Sequence, residues 1–172
     1  MSGSIHEEHP FRTPEDRRDR VRQFRGRLAA PVTVLTAGGP SARTGITVSS
    51  LVAAEGEPGS IYFLLGPDTD FADVVRDTGR FVVHVLGEEQ RALADVFAGV
   101  RPSPGGMFRG LDVIDGQWGP VIAGIGNLAF CSFRDAVTES YSSLVSSTVD
   151  RVEIDELTDP LLYYRGSYRT VS

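Results

Sequence analysis

A chain of 172 residues, 41% hydrophobic and 23% charged, has room for one domain with a full core. Its net charge of −6 excludes a general nucleic-acid binder, which needs excess cations to displace counterions. All 17 basic residues are arginine, which excludes Schiff-base chemistry and lysine-dependent phosphate loops; arginine, hydroxyls or backbone N–H groups must hold any anion.

Residues 1–12 read as a loose arm, polar and acidic at its start, with no apolar stretch for a secretion signal. His6-Glu7-Glu8-His9 lacks the spacing of a zinc-protease helix and is set aside as a metal site. Thr13-Pro14-Glu15-Asp16 predicts a helix start: a threonine cap, proline at the first helical position and acids in the first turn. Val21, Phe24 and Leu28 follow at helical spacing and give that helix an apolar side. Strand signals then begin, at residues 32–37, 44–54 and 60–65, separated by Gly/Pro turns. A short helix at residues 70–78 closes on Gly79, with Asp68 or Asp70 as its expected cap. An apolar strand at 81–86 and a helix at 88–98 come next, and Arg101-Pro102-Ser103-Pro104-Gly105-Gly106 reads as loop. Further strands are predicted at 126–137, 141–154 and 161–169.

Many short strands with three short helices predict a mainly β domain over residues 13–172, a small barrel rather than a doubly wound sheet. No glycine fingerprint links a strand to a helix, which argues against a Rossmann site. The single cysteine, Cys131, cannot form an internal disulfide, and no apolar run reaches the ~20 residues that cross a bilayer. The expectation is a cytoplasmic protein bound neither to membrane nor to nucleic acid.

The order of segments resembles the flavin reductase family of FMN-binding split barrels. The resemblance runs through Ala30-Pro31-Val32-Thr33-Val34-Leu35-Thr36, Gly45-Ile46-Thr47-Val48-Ser49-Ser50 and Gly79-Arg80-Phe81-Val82-Val83-His84-Val85-Leu86. It continues through Leu93-Ala94-Asp95-Val96-Phe97-Ala98-Gly99, Phe108-Arg109-Gly110-Leu111 and Leu161-Leu162-Tyr163-Tyr164-Arg165-Gly166-Ser167-Tyr168. It implies a six-stranded antiparallel split β-barrel of Greek-key type with short flanking helices, homodimeric, holding FMN (or FAD) near the subunit interface. It implies hydride transfer from NADH or NADPH and a flavin-dependent monooxygenase as partner. Flavin contacts carry over to Thr47, Val48, Ser49 and Ser50; Leu65, Gly66 and Thr69 stand where the family binds the flavin phosphate, and Arg165 and Tyr168 near the interface. His84, where the family commonly has an asparagine, is a further cofactor-binding candidate, its alternative a satisfied histidine on an apolar strand.

From the residues themselves, an isoalloxazine needs a flat apolar wall and polar groups at one edge, and strand alternation puts Thr47 and Ser49 on one face. Hydride transfer asks mainly for close stacking and water exclusion, so no single residue is identified as catalytic. Two departures stand out. Leu65-Gly66-Pro67-Asp68-Thr69-Asp70 puts carboxylates where the family binds the flavin phosphate, with Thr69, backbone amides and an arginine such as Arg43 left as candidate holders. Glu139-Ser140-Tyr141-Ser142 has no histidine where many family reductases carry Gly-Asp-His. These departures keep two alternatives in play: a non-catalytic or diverged binder of flavin or another planar cofactor such as F420 or haem, and a dimeric structural protein without ligand.

Overall fold

A computed structural model describes residues 19–171, so the arm, the His6/His9 pair and the expected helix start at Thr13 lie outside the described residues. The first element is α1 (Arg20–Arg25), capped by the Asp19 carboxylate, which accepts the Val21 N–H at 2.7 Å. Twelve strands follow: β1 (Ala30–Pro31), β2 (Thr33–Ala37), β3 (Thr44–Val48), β4 (Val52–Ala54), β5 (Ser60–Leu65), β6 (Arg80–Val85), β7 (Val113–Gly116), β8 (Gly119–Ile122), β9 (Leu128–Glu139), β10 (Ser142–Glu153), β11 (Leu162–Tyr164) and β12 (Ser167–Arg169). Helices α2 (Asp70–Thr78) and α3 (Arg91–Phe97) flank β6 in the chain.

The main sheet runs β3-β2-β6-β9-β10-β5-β4, antiparallel throughout. Register shifts at Ser146/Ser147 and Val149/Arg151 bend the long β9–β10 ribbon and curl the sheet into the expected split barrel. Along β6, Phe81 and Val83 face the barrel interior, where Phe81 meets Phe63 edge-on at 5.6 Å and Phe71 at 6.2 Å. Val82 faces the other way, into a second core with Val34, Leu86, Ala94, Phe97 and Ile122. Both faces of β6 are therefore covered, which is why its sequence reads as one continuous apolar run. Each of the buried Phe, Leu, Ile and Val side chains contributes roughly 1.5–3 kcal/mol of hydrophobic stabilisation. Gly45 makes the close packing of α3 on β3 possible, since a Cβ there would lie 2.5 Å from the Phe97 ring.

Four sequence expectations change. The strand predicted over residues 44–54 is two strands, because the chain bends at Ser49, Ser50 and Leu51 to cross from β2 to β5. The strand predicted over 161–169 is the hairpin β11–β12, which turns at Arg165 (φ 48°) and Gly166 (φ 79°). The hairpin β7–β8 is new, and Trp118 at its tip packs edge-on against Phe130 while its indole N–H donates to Asp150 at 2.7 Å. Helix α2 is capped by Thr69, whose hydroxyl accepts the Ala72 N–H at 3.2 Å, and not by Asp68 or Asp70.

Candidate functional site

The barrel is split between β3 and β5, and a side chain bridges the gap. Beyond the last β4–β5 rung, the Ser50 hydroxyl accepts the Leu64 N–H at 3.0 Å and donates to the Leu64 carbonyl at 3.2 Å. One serine thus replaces a ladder rung and satisfies both backbone groups of an otherwise open edge. A groove of about 510 Å³ lies along this seam. One part of its lining is apolar, from Pro31, Leu51, Val52 and Leu64. Ser49, half-buried, brings a hydroxyl with no intramolecular hydrogen bond among the described residues. Arg22 and Arg25 of α1 and Arg165 of the β11–β12 turn make the cationic part of the lining, and no Asp or Glu lines the groove among the described residues.

Of the residues expected from the sequence, Ser49, Ser50 and Arg165 meet in this groove. Thr47 and Ser49 do not share a face as alternation predicts, because β3 ends at Val48 and the chain bends after it. Thr47 donates its hydroxyl to the Ala94 carbonyl at 2.7 Å and so ties β3 to α3. Val48 is buried in the barrel core. Leu65, Gly66 and Thr69 lie at the end of β5 and the start of α2, away from the groove lining. Tyr168 donates to the Asp95 carboxylate at 2.9 Å and packs edge-on against Tyr163; burial, then Asp95, holds its hydroxyl above the ordinary tyrosine range.

His84 is fully buried, and its ring joins two strands. Its Nε2 accepts the Ile122 N–H at 3.1 Å, so Nδ1 carries the proton and donates to the Val34 carbonyl at 3.1 Å. Burial, opposed by the Val34 bond, lowers its pKa to about 4. It is a neutral structural histidine outside the groove. Arg43, expected as a phosphate holder, instead pairs with Asp115 through two hydrogen bonds, one of them 2.8 Å. Cys131 is an inert core thiol, pushed up to about 12 chiefly by burial. Sequence reasoning missed Arg22, Arg25, Leu64 and Tyr163 as groove residues, because they converge only when α1 and the C-terminal hairpin dock beside the seam.

The fold and groove define a class: an antiparallel split-barrel protein with a partly apolar, arginine-bearing cleft at its seam. Residues 25–172 match the flavin reductase like domain, and the chain belongs to that family. It is 28% identical over 160 residues to the 4-hydroxyphenylacetate 3-monooxygenase reductase component of Pseudomonas aeruginosa, covering 90% of this chain and 92% of that protein. It is 29% identical over 174 residues to the NADH:riboflavin 5'-phosphate oxidoreductase of Streptomyces pristinaespiralis, covering 99% and 95%. The solved structure of the flavin reductase PheA2 in its native state shares the fold, with a TM-score of 0.80 at 24% identity over 90% of this chain and 99% of that one.

Proposed function

We propose that the seam groove is the flavin site of an oxidoreductase that takes hydride from NADH or NADPH. The observation that carries this reading is the groove itself. Its volume of about 510 Å³ falls inside the ~300–1,000 Å³ range of cofactor and ligand pockets. Its apolar wall, free hydroxyl and arginines match a tricyclic ring with one polar edge and an anionic tail. Relatives named as NADH-dependent oxidoreductases of riboflavin 5'-phosphate support FMN as the flavin, with FAD as the alternative.

Pro31, Leu51, Val52 and Leu64 would hold the ring and keep water off one of its faces. Ser49 would meet the polar edge, since the Ser50 hydroxyl is already committed to closing the seam. The arginines favour negative charge in the groove, and so favour a flavin that has accepted hydride. Bound flavin supplies the hydride-accepting chemistry; the chain supplies stacking geometry and electrostatics, with no acid–base residue required.

The outer sheet face beside the groove supports a homodimer. Leu64, Leu144 and Val137 stand in register across β5, β10 and β9, all more than 40% exposed, with Tyr141 97% exposed at the adjoining turn. A second copy seated on this row would also roof the groove at Leu64. Leu144→Arg is expected to turn a dimer into a monomer in sedimentation velocity. A wild type that sediments as a monomer at micromolar concentration removes this part of the reading. The naming of the Pseudomonas relative as a monooxygenase reductase component supports a flavin-dependent monooxygenase as the consumer of reduced flavin.

The test of function is purified protein with FMN and NADH or NADPH, followed at 340 nm. Flavin-dependent oxidation of one nucleotide is the expected result. Flavin binding without nucleotide oxidation would instead favour a binder on the same fold, consistent with the absence of a histidine at the exposed Ser140-Tyr141 turn.

A further inference from the structure

The described structure presents two places for the phosphoryl tail of a ligand, and their chemistry is opposite. The start of α2 is acidic: Asp68 precedes it, and Asp70 and Asp73 lie in its first turn. Of its end groups, the Ala72 N–H is taken by the Thr69 hydroxyl at 3.2 Å, and the guanidinium of Arg76 is engaged by Asp73 at 3.0 Å and the Pro67 carbonyl at 3.4 Å. A dianionic phosphate there meets carboxylates that repel it.

The other place is the arginine end of the groove. Arg22 and Arg25 stand three residues apart on one side of α1. The β11–β12 turn docks against the end of that helix through the Arg165 N–H, which donates to the Gly26 carbonyl at 2.8 Å. Arg165 itself has a left-handed backbone (φ 48°), a conformation unfavourable for a non-glycine residue. Two elements about 140 positions apart in sequence thus bring three arginines to the lining of one cleft, with no Asp or Glu among its described lining residues. Guanidinium forks match phosphoryl oxygens in charge and geometry.

We propose that Arg22, Arg25 and Arg165 form the phosphoryl-binding end of the groove and make it specific for phosphorylated ligands. This assignment rests on the groove being the flavin site. The shared chemistry is a phosphate monoester or diphosphate, carried by FMN and FAD or by the nicotinamide dinucleotide, and the experiment separates these sources.

Riboflavin and FMN are titrated by fluorescence quenching into the full-length wild type, Arg22→Gln/Arg25→Gln, Arg22→Lys/Arg25→Lys and Thr69→Ala. Both arginines are exposed, and an unchanged melting temperature confirms that the variants fold. The wild type should prefer FMN over riboflavin, and the glutamine pair should weaken FMN ~10–100-fold while moving riboflavin less than ~3-fold. The lysine pair should recover part of that loss, because it restores charge without the fork. If FMN binding holds and the KM for nicotinamide nucleotide rises ~10-fold or more, the arginines hold the dinucleotide phosphates, and the proposal stands for that source. Equal loss of riboflavin and FMN overturns it, as does no change in any ligand. So does loss of FMN preference in Thr69→Ala but not in the arginine pair. A wild type that binds neither flavin defeats the reading of the groove, and this assignment with it.

Discussion

His84→Ala is expected to cost ~3–5 kcal/mol of folding stability, because it removes a large buried side chain and leaves two buried backbone groups without partners. Those groups are the Val34 carbonyl and the Ile122 N–H, which the imidazole joins across the second core. The same geometry predicts a pH dependence. The folded pKa of about 4 lies below the ordinary value of 6.5, so the folded protein prefers the neutral ring. Its contribution is complete above about pH 6.5 and is lost as pH falls through about 4, at about 1.4 kcal/mol per pH unit between these limits. Urea unfolding of the wild type and of His84→Asn at pH 7 and pH 5 checks this. Asparagine keeps a donor and an acceptor but has no titration here, so the wild type should lose ~2 kcal/mol more than the variant between these values. Equal losses in the two proteins would show that His84 is not held neutral.

Leu64→Asp is expected to abolish flavin retention, with affinity down at least ~100-fold, or ~3 kcal/mol. Leu64 lines the groove next to the seam, and its backbone already has both partners in the β5 edge contact with Ser50. A carboxylate there must either lose water beneath a bound ring or hold the ring away from the wall. Leu64→Asn has the same shape without the charge and should lose less than ~10-fold, since only apolar contact is removed. Flavin titration of both variants, with sedimentation to follow assembly, separates the wall from the proposed subunit contact. If asparagine and aspartate behave alike, charge exclusion is not the cause; if neither variant differs from the wild type, the ring does not lie against Leu64.

The elements most legible in the sequence are those whose local signals and tertiary surroundings agree. Helix α2 has the predicted bounds, because a proline-containing turn precedes it and Gly79, in the left-handed region at φ 71°, ends it. The apolar run around β6 announced a strand, and its continuous apolar character reflects burial on both faces. The hairpin β7–β8 carried a signal in Asp115-Gly116-Gln117-Trp118-Gly119 that a reading for long apolar runs passes over. The break at Ser49 had no such signal. Thr-Val-Ser-Ser favours extended chain, and only the need to cross the mouth of a closing barrel bends it there.

By itself the sequence determined a mainly β domain and the order of most of its strands and helices, while the antiparallel split barrel came from the family resemblance. The class and the order follow from periodicity, turn residues and burial, which act over a few neighbouring residues. Only the tertiary structure decided which side chains share the cleft. It withdrew His84 and Val48 into the core, Thr47 onto α3 and Arg43 onto Asp115, and it brought Arg22 and Arg25 beside Arg165. The physical reason is that closing the barrel and docking its two chain ends sets distances between residues far apart in sequence, and no local pattern encodes such distances.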